Sequence, residues 1–275
     1  MKKTLAALTI GLSVLVQSPL RAEVNEPSPT VTEIPAPVSN APKASSGPSY
    51  NDPKYTKGAS ELTALGNATV QVFTDEGTGS GTVFKLNSKV GKITAVLSNA
   101  HVVAGAVLAC KKANNCTKQP PMVSIKAWYS YEGKVFPLFY HGRVMVASFD
   151  PELDLVLIKL EEPWVGEYAN FAPEDLRPAQ SEQVYVVGSS LGERTQVSTG
   201  LLDLLNIREG KYGVSAPIYP GNSGGGLYIS RDKYYFIGVP QAIAVVKQTA
   251  AFTHGIVIPA SKVRRYLDDL GVEPT

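Results

Sequence analysis

The sequence predicts an all-β protein built from antiparallel strands, and three observations support that class. Short runs of β-branched and aromatic residues recur along most of the chain. Glycine, proline and polar clusters separate these runs, with no helical pattern between them. The one predicted helix is at the end of the chain. Many short strands without intervening helices favour antiparallel barrels or a sandwich over a parallel α/β sheet.

The predicted strands begin after Glu61 and are short enough to be half or fully buried. They are Ala68–Phe73, Gly81–Leu86, Lys92–Ser98, Met122–Tyr129, Leu153–Leu160, Gln183–Gly188 and Tyr234–Val239. The terminal helix has one apolar stripe, at positions i, i+3, i+4 and i+7, formed by Val263, Tyr266, Leu267 and Leu270. We expect this stripe to pack on the last barrel, without a chemical role.

The first 22 residues have the pattern of a secretory signal peptide. Lys2 and Lys3 form a positive start, the apolar stretch Thr4–Val16 follows, and Ala22 is the expected last residue before cleavage. An uncleaved anchor is the alternative, but the apolar run is shorter than the ~20 residues that a membrane-spanning helix needs. The sequence therefore predicts an exported protein without stable membrane insertion after cleavage.

Residues 23–57 are rich in proline, serine and threonine and poor in large apolar side chains. Such a segment buries too little surface to offset the entropy of ordering it, so it is predicted to be a linker. A propeptide is the alternative interpretation.

The charge balance argues against a nucleic-acid partner. The whole chain has 26 Lys and Arg against 24 Asp and Glu, a formal net charge of +2. Lys2, Lys3 and Arg21 would leave with the signal peptide, so that 23 bases and 24 acids remain. No basic block is left to follow a phosphate backbone.

The two cysteines of the chain, Cys110 and Cys116, lie close together. In an exported protein such a pair is predicted to form a disulfide, while free thiols or half of a metal site are the alternatives. The chain has only three histidines and no second cysteine pair, so no zinc site and no metal or organic cofactor is expected.

Three short motifs carry the chemistry. They are Leu97–Val103, which contains His101, then Asp154–Lys159, and then Gly221–Gly225, which contains Ser223. A serine hydroxyl is a weak nucleophile, so it needs a base to take its proton and a third group to orient that base. A histidine, an aspartate and a glycine-flanked serine in this order therefore predict a serine hydrolase.

Each motif also has an alternative interpretation. Gly221–Gly225 alone would suit an ordinary glycine-rich turn, or the nucleophile elbow of an α/β-hydrolase. The elbow requires an acid and then a histidine after the serine. Only Asp232 and His254 follow in that order, and strands rather than helices surround them, so we reject it.

The other histidines and acids are weaker candidates. His141 and His254 lie at strand ends or in loops, and Asp150 and Glu152 belong to a polar turn. Asp154 precedes an almost entirely apolar run, where a buried carboxylate needs a hydrogen-bond partner such as an imidazole.

These residues resemble the chymotrypsin (trypsin-like) superfamily of serine proteases, and most of all its bacterial HtrA or Deg-type branch. The similarity extends from about Glu61 to Leu270, and the spacings of 53 and 69 residues between the three motifs are typical of the family. The similar stretches are Gly79–Phe84, Leu97–Val103, Asp154–Leu160, Val187–Gly192, Pro220–Gly225 and Ile256–Pro259.

The resemblance implies two six-stranded antiparallel Greek-key β-barrels, over about 58–165 and 166–275, with the site in the cleft between them. It implies that His101 acts as general base and then acid, that Asp154 orients it, and that Ser223 is the nucleophile. Gly221 and Ser223 would donate the oxyanion hydrogen bonds. The implied partners are polypeptide substrates in a bacterial periplasm or outside the cell.

Two departures from the family pattern shape these expectations. HtrA-type chains usually continue into PDZ domains, while this sequence ends at Thr275. Asn222 stands where digestive relatives have an aspartate that pairs with a freed N-terminus. Activation by cleavage of the N-terminus is therefore not expected, and 23–57 reads as a linker.

By the same resemblance, uncharged residues form the wall of the specificity pocket, which predicts a preference for small to medium apolar side chains. The wall residues are Ala216, Pro217, Ile218, Tyr219, Gln241, Ala242 and Ile243. Two other functions remain open at this point: a catalytically silent binding protein and an esterase on the same fold.

Overall fold

Two closed β-barrels make up most of the part of the chain that the structure describes. The structure is a computed structural model that describes residues 61–116, 118–131, 134–207, 210–246 and 251–275. The predicted signal peptide (1–22) and linker (23–57) lie outside these residues. No helix within the described ranges is long and apolar enough to cross a membrane.

The first barrel contains six antiparallel strands. They are β1 (Thr69–Thr74), β2 (Gly77–Ser88), β3 (Gly91–Ser98), β4 (Met122–Tyr131), β5 (Lys134–Ser148) and β6 (Leu155–Leu160). Their order is β1-β4-β5-β6-β3-β2, and a further pairing between β1 and β2 closes the barrel.

The second barrel also contains six antiparallel strands. They are β7 (Gln183–Gly188), β8 (Gln196–Ile207), β9 (Lys211–Val214), β10 (Gly226–Ser230), β11 (Tyr234–Val246) and β12 (Ala251–Pro259). The barrel closes in the order β10-β11-β12-β9-β8-β7. The predicted all-β class with two six-stranded barrels is confirmed.

Helices add three short elements to the barrels in the described residues. They are α1 (Glu61–Asn67), α2 (Ala104–Lys112) and the predicted terminal helix, α3 (Ala260–Asp269). The sequence did not indicate α2, because its apolar residues form no continuous stripe and only Gly105 and Val107 in it are buried. Cys110 near its end forms a disulfide with Cys116, the expected pair.

Three hydrophobic cores stabilise this arrangement. One fills each barrel, and the third lies between the barrels and includes side chains from both, as well as from α3. Its largest fully buried members include Leu86, Leu97, Leu155, Tyr228, Phe236 and Ile258. Because this shared core is continuous, it fixes the position of one barrel relative to the other. Residues from both barrels can therefore form one site.

The end of the chain returns to the first barrel, which the sequence did not indicate. After α3, which contacts β11 and β12, the strand β13 (Val272–Pro274) pairs antiparallel with β2. The Tyr266 hydroxyl of α3 also donates to the Val146 carbonyl oxygen in the first barrel, at 2.9 Å. The terminal helix therefore packs on the second barrel, as expected, but it also reaches the first.

Candidate active site

His101 and Asp154 meet at the edge of the first barrel that faces the second. His101 lies in a 3₁₀ turn (Ala100–Val103) directly after β3, and Asp154 directly precedes β6. Since β3 and β6 are paired neighbours, the end of one strand lies beside the start of the other. The Nδ1 atom of His101 is 2.8 Å from the Asp154 Oδ2 atom, and the His101 backbone N–H donates to Oδ1 at 3.0 Å.

Asp154 is almost completely buried, with 8 % of its surface exposed. Its Oδ2 atom also accepts a hydrogen bond from the Gln241 side-chain amide at 3.1 Å, and its carbonyl oxygen accepts one from the Asn99 amide at 2.9 Å. A buried carboxylate is costly unless hydrogen bonds replace its water shell. The His101 backbone N–H and the Gln241 amide hold the carboxylate in one orientation, so the imidazole that it contacts is oriented as well.

Ser223 approaches this pair from the second barrel. Its hydroxyl donates to the carbonyl oxygen of Gln241 at 3.4 Å, while the side chain of the same glutamine contacts Asp154. Within the described residues the hydroxyl makes no hydrogen bond to His101. Hydrogen bonds between catalytic groups are often long in the absence of substrate, so this geometry is compatible with proton transfer once substrate is bound.

Gln241 makes side-chain contacts that the sequence did not indicate. The sequence assigned it to the pocket wall, but its amide contacts Asp154 and the Pro151 carbonyl oxygen, the latter at 3.1 Å. The available signal was a polar side chain within an otherwise apolar strand. It did not identify the partner, which lies in the other barrel.

The Gly221 amide is free to bind a ligand. The preceding carbonyl oxygen, that of Pro220, accepts a hydrogen bond from the Leu191 N–H at 2.7 Å. Because a trans peptide group is planar, its N–H then points the opposite way, and the Gly221 N–H makes no hydrogen bond within the described residues. Gly221 has φ +96°, and a Cβ there would collide with the Ser189 carbonyl oxygen, so glycine is required.

The Ser223 amide is arranged in the same way. The Asn222 carbonyl oxygen accepts a hydrogen bond from Gly225 N–H at 3.0 Å, while the N–H of Ser223, on the other side of that peptide, makes none within the described residues. Gly221 and Ser223 thus offer two free backbone N–H donors, two positions apart and beside a serine hydroxyl. Such a pair of donors can bind a negatively charged oxygen.

Asn222 faces the interior. It is 3 % exposed, and its Oδ1 atom accepts a hydrogen bond from the Ser190 hydroxyl at 2.7 Å. The Asn222 amide and the Ser190 hydroxyl therefore form a hydrogen bond between neutral groups. A buried aspartate at position 222 would instead require a cationic partner.

The predicted pocket residues come from two segments of the second barrel, the loop between β9 and β10 and the strand β11. Ile218 is buried against Gly255 of β12, where an added Cβ would meet its side chain, and Tyr219 is half exposed. Pro217 is exposed and Ala242 is half-buried. None of these side chains is charged.

Within the described residues, the rejected acids and histidines make no hydrogen bond to Ser223 or His101. Asp150 and Glu152 form an exposed turn, in which the Asp150 carboxylate accepts the Glu152 N–H at 2.9 Å. His141 pairs with Glu162 on the outer surface of the first barrel. No group of three or more His, Cys, Asp or Glu side chains in the described ranges is arranged to hold a metal ion.

Comparison with solved structures identifies similar folds. The crystal structure of Deg5 is 22% identical with a TM-score of 0.54, covering 80% of this chain and 98% of that one. The crystal structure of the Rv3671c protease in its inactive form is 20% identical with a TM-score of 0.52, covering 80% and 96%. The crystal structure of the serine endoprotease from Yersinia pestis is 17% identical with a TM-score of 0.55, covering 76% and 65%.

Comparison at the level of sequence identifies the family. No curated protein matches this chain. Residues 79–239, more than half of the chain, match the family described as "Trypsin-like peptidase domain". The matched range includes the motifs of His101, Asp154 and Ser223, and the predicted resemblance to trypsin-like serine proteases is confirmed. The chain therefore belongs to the family of trypsin-like peptidase domains and is, by class, a serine endopeptidase.

Proposed function

We propose that this protein is an exported endopeptidase in which Ser223 is the nucleophile, His101 the general base and acid, and Asp154 the residue that orients His101. The observation that carries the proposal is that Gln241 connects Ser223 to the His101–Asp154 pair. Its side-chain amide donates to Asp154, which contacts His101, and its backbone carbonyl oxygen accepts the Ser223 hydroxyl. Free amides beside the serine add the second requirement of acyl transfer, which is stabilisation of an oxyanion.

In the proposed reaction, the Ser223 oxygen attacks the carbonyl carbon of the scissile peptide while the His101 Nε2 atom takes the hydroxyl proton. The carbonyl oxygen becomes an oxyanion that accepts hydrogen bonds from Gly221 and Ser223, each worth roughly 3 kcal/mol of transition-state stabilisation. Asp154 holds the imidazole in the tautomer that presents a free Nε2 atom and stabilises the imidazolium that forms.

Collapse of this intermediate breaks the peptide C–N bond, and His101 returns its proton to the leaving amine nitrogen. The acyl group stays on Ser223 as an ester. A water molecule then attacks that ester, with its proton passing to His101. Release of the carboxylic acid restores the serine hydroxyl, so the cycle consumes one water molecule and needs no cofactor.

Labelling with a fluorophosphonate tests this function. The full-length protein should form a covalent adduct that peptide mass spectrometry locates on Ser223, and Ser223→Ala should abolish both the adduct and the cleavage of a protein substrate such as casein. An unlabelled and inactive parent protein would instead indicate a silent binding protein. Hydrolysis of short esters without cleavage of casein would indicate an esterase.

For substrate preference, we propose small to medium apolar residues on the acyl side of the scissile bond. The uncharged side chains before Ser223, and the Ile218 side chain packed over Gly255, support this choice. Matched peptides with Val or Lys at that position should differ at least about 100-fold in kcat/KM in favour of Val, since an ammonium without a partner is costly to bury. Preferred cleavage after Lys or Arg would contradict the proposal.

Export is proposed from the signal pattern of residues 1–22 alone. Expression of the full chain in a bacterium, followed by fractionation and sequencing of the mature N-terminus, tests it. The expected mature chain starts at Glu23 and is recovered outside the cytoplasm, whereas an intact Met1 on cytoplasmic protein would contradict export.

A further inference from the structure

A serine in the first barrel contacts the loop that bears the nucleophile in the second barrel. Ser80 lies in β2 and is completely buried. Its hydroxyl donates to the Gly221 carbonyl oxygen at 2.6 Å and accepts a hydrogen bond from the Ser189 N–H at 2.7 Å. Its backbone N–H donates to the Ser223 carbonyl oxygen at 2.8 Å. One residue of the first barrel therefore contacts three backbone groups around the candidate oxyanion site.

The hydroxyl contacts matter because Gly221 has no side chain to restrict its backbone. Its φ and ψ angles are set by the orientations of the peptide groups before and after it. The peptide before it is held at the Pro220 carbonyl oxygen by the Leu191 N–H. The peptide after it is held at its own carbonyl oxygen by the Ser80 hydroxyl. With both carbonyls held, the direction of the Gly221 N–H is determined.

The Ser80 hydroxyl also supports the hydrogen bond from the Leu191 N–H to the Pro220 carbonyl oxygen. By accepting the Ser189 N–H, it anchors the segment 189–191, and that segment supplies the Leu191 N–H. Leu191 itself has φ +54°, in the left-handed region that a leucine rarely adopts, so the surrounding contacts must hold it there. The Ser80 hydroxyl thus acts on both peptide groups that flank Gly221, on one directly and on the other through the loop.

We propose that Ser80 is a positioning residue for the oxyanion hole, because its hydroxyl orients the free amide of Gly221 from the opposite barrel. It touches neither substrate nor the reacting atoms. The inference rests on the proposed function, since it assigns a role to a group that acts through the oxyanion loop. It also goes beyond that function, because nothing in the reaction itself requires a hydroxyl at this position.

The test is Ser80→Ala in the full-length protein. Its kcat and KM are measured per active site, with the concentration of active sites determined by titration with the fluorophosphonate. Removing one oxyanion donor typically lowers kcat by 10²- to 10³-fold, so misaligned donors should lower kcat by about 10- to 100-fold. KM should change less than about threefold, because ground-state binding does not use the oxyanion site. Affinity for a peptidyl trifluoromethyl ketone, whose adduct carries an oxyanion, should fall by the same factor as kcat.

Thr69→Val is the matched control. The Thr69 hydroxyl is also buried in the first barrel and donates to the Leu65 carbonyl oxygen at 2.9 Å, but within the described residues it makes no hydrogen bond to 189–191 or 221–225. This variant should lower the melting temperature and leave kcat within about twofold of the parent value. Ser80→Cys, which keeps a small side chain with a weaker donor, should show an intermediate loss and provides a second variant if Ser80→Ala does not fold.

The outcomes separate the two proposals. In one outcome the parent protein reacts with the fluorophosphonate, and Ser80→Ala and Ser80→Cys both fold and keep the parent kcat. This result would overturn the role of Ser80 alone. An equal loss of kcat in Thr69→Val would also overturn it, because general destabilisation would then explain the effect. A parent protein that does not react would overturn the proposed function, and the role of Ser80 with it.

Discussion

Two histidines of this protein contact carboxylates in the same way, yet only one lies at the candidate active site. In both pairs the Nδ1 atom and the backbone N–H of one histidine bind the two oxygens of one carboxylate. For His101 and Asp154 the distances are 2.8 and 3.0 Å, and for His141 and Glu162 they are 2.6 and 2.8 Å. The local geometry of the pair therefore does not identify a catalytic base.

What differs is the surroundings. The Asp154 side chain is 11% exposed, whereas the Glu162 side chain is 40% exposed and lies on the outer surface of the first barrel. Asp154 receives a further hydrogen bond from Gln241, whose carbonyl oxygen accepts the Ser223 hydroxyl. A buried acid and the Ser223 loop with its free backbone donors are present around His101, whereas the carboxylate that His141 contacts is exposed. What distinguishes the His101–Asp154 pair from the surface pair is therefore the set of contacts with the second barrel, and the proposed catalytic role rests on them.

The largest expected effect is that of Asp154→Asn compared with Glu162→Gln. Asp154→Asn removes the acceptor that selects the tautomer of His101, so kcat should fall by about 10⁴-fold at neutral pH. Glu162→Gln makes the matching change at the other pair and should leave kcat within about twofold. Initial rates on one fluorogenic peptide measure both, and similar losses in the two variants would contradict the assignment of His101.

A smaller effect is expected for Gln241→Leu. This substitution tests the hydrogen bond from Gln241 to Asp154, which has no counterpart among the described residues at the exposed pair of His141 and Glu162. The substitution removes a donor to a buried carboxylate, and such a bond is worth about 1.5–3 kcal/mol, so kcat should fall at least about 10-fold. Gln183→Leu, at an exposed glutamine in β7, is the control and should not change the rate. An unchanged rate in Gln241→Leu would show that Asp154 orients His101 without this support.

The smallest effect is expected for His141→Ala and concerns stability rather than catalysis. Partial burial alone would raise the pKa of Glu162, but the hydrogen bonds and charge of His141 lower it overall. A carboxyl whose pKa is lowered in the folded state stabilises the protein above its unfolded pKa of about 4.3 and loses that contribution as the pH falls.

His141→Ala should therefore lower the free energy of unfolding by no more than about 0.5 kcal/mol at pH 7, because the pair is exposed and screened by solvent. At about pH 3 the difference from the parent should be smaller than at pH 7, because protonation of Glu162 removes its attraction to His141. Urea unfolding at the two pH values measures this. A larger difference at the acidic pH would reverse the assigned sign of the pKa shift.

The parts of the site that the sequence predicted are those with a local pattern. His101, Asp154 and Ser223 each lie in a short motif whose residues form a strand end or a tight glycine loop. The fold class was predictable for the same reason, since apolar runs of strand length separated by turn residues are also local. The strand β5 was not predicted, and it contains Pro137, a residue type that weakens the strand signal.

The remaining contacts depend on pairing between distant segments. Gln241 and Asp154 are 87 residues apart, and Ser80 and Gly221 are 141 residues apart. A buried polar residue in one strand indicates that a partner exists, but not which one, until the register of both barrels is known. The sequence therefore predicted the residues of the proposed triad, while the contacts of Gln241 and Ser80 became visible only in the folded chain.

The pairing of β13 with β2 has a consequence for how the two halves of the site can move. The chain passes between the barrels once from β6 to β7, and again where α3 leads into β13. Thr275 extends the second connection, since its N–H and its hydroxyl both donate to the Lys85 carbonyl oxygen, at 3.1 and 3.0 Å. Because α3 packs on the second barrel while β13 is hydrogen-bonded to the first, separation of the barrels would pull on these hydrogen bonds, which links the width of the cleft to the pairing of the C-terminal strand.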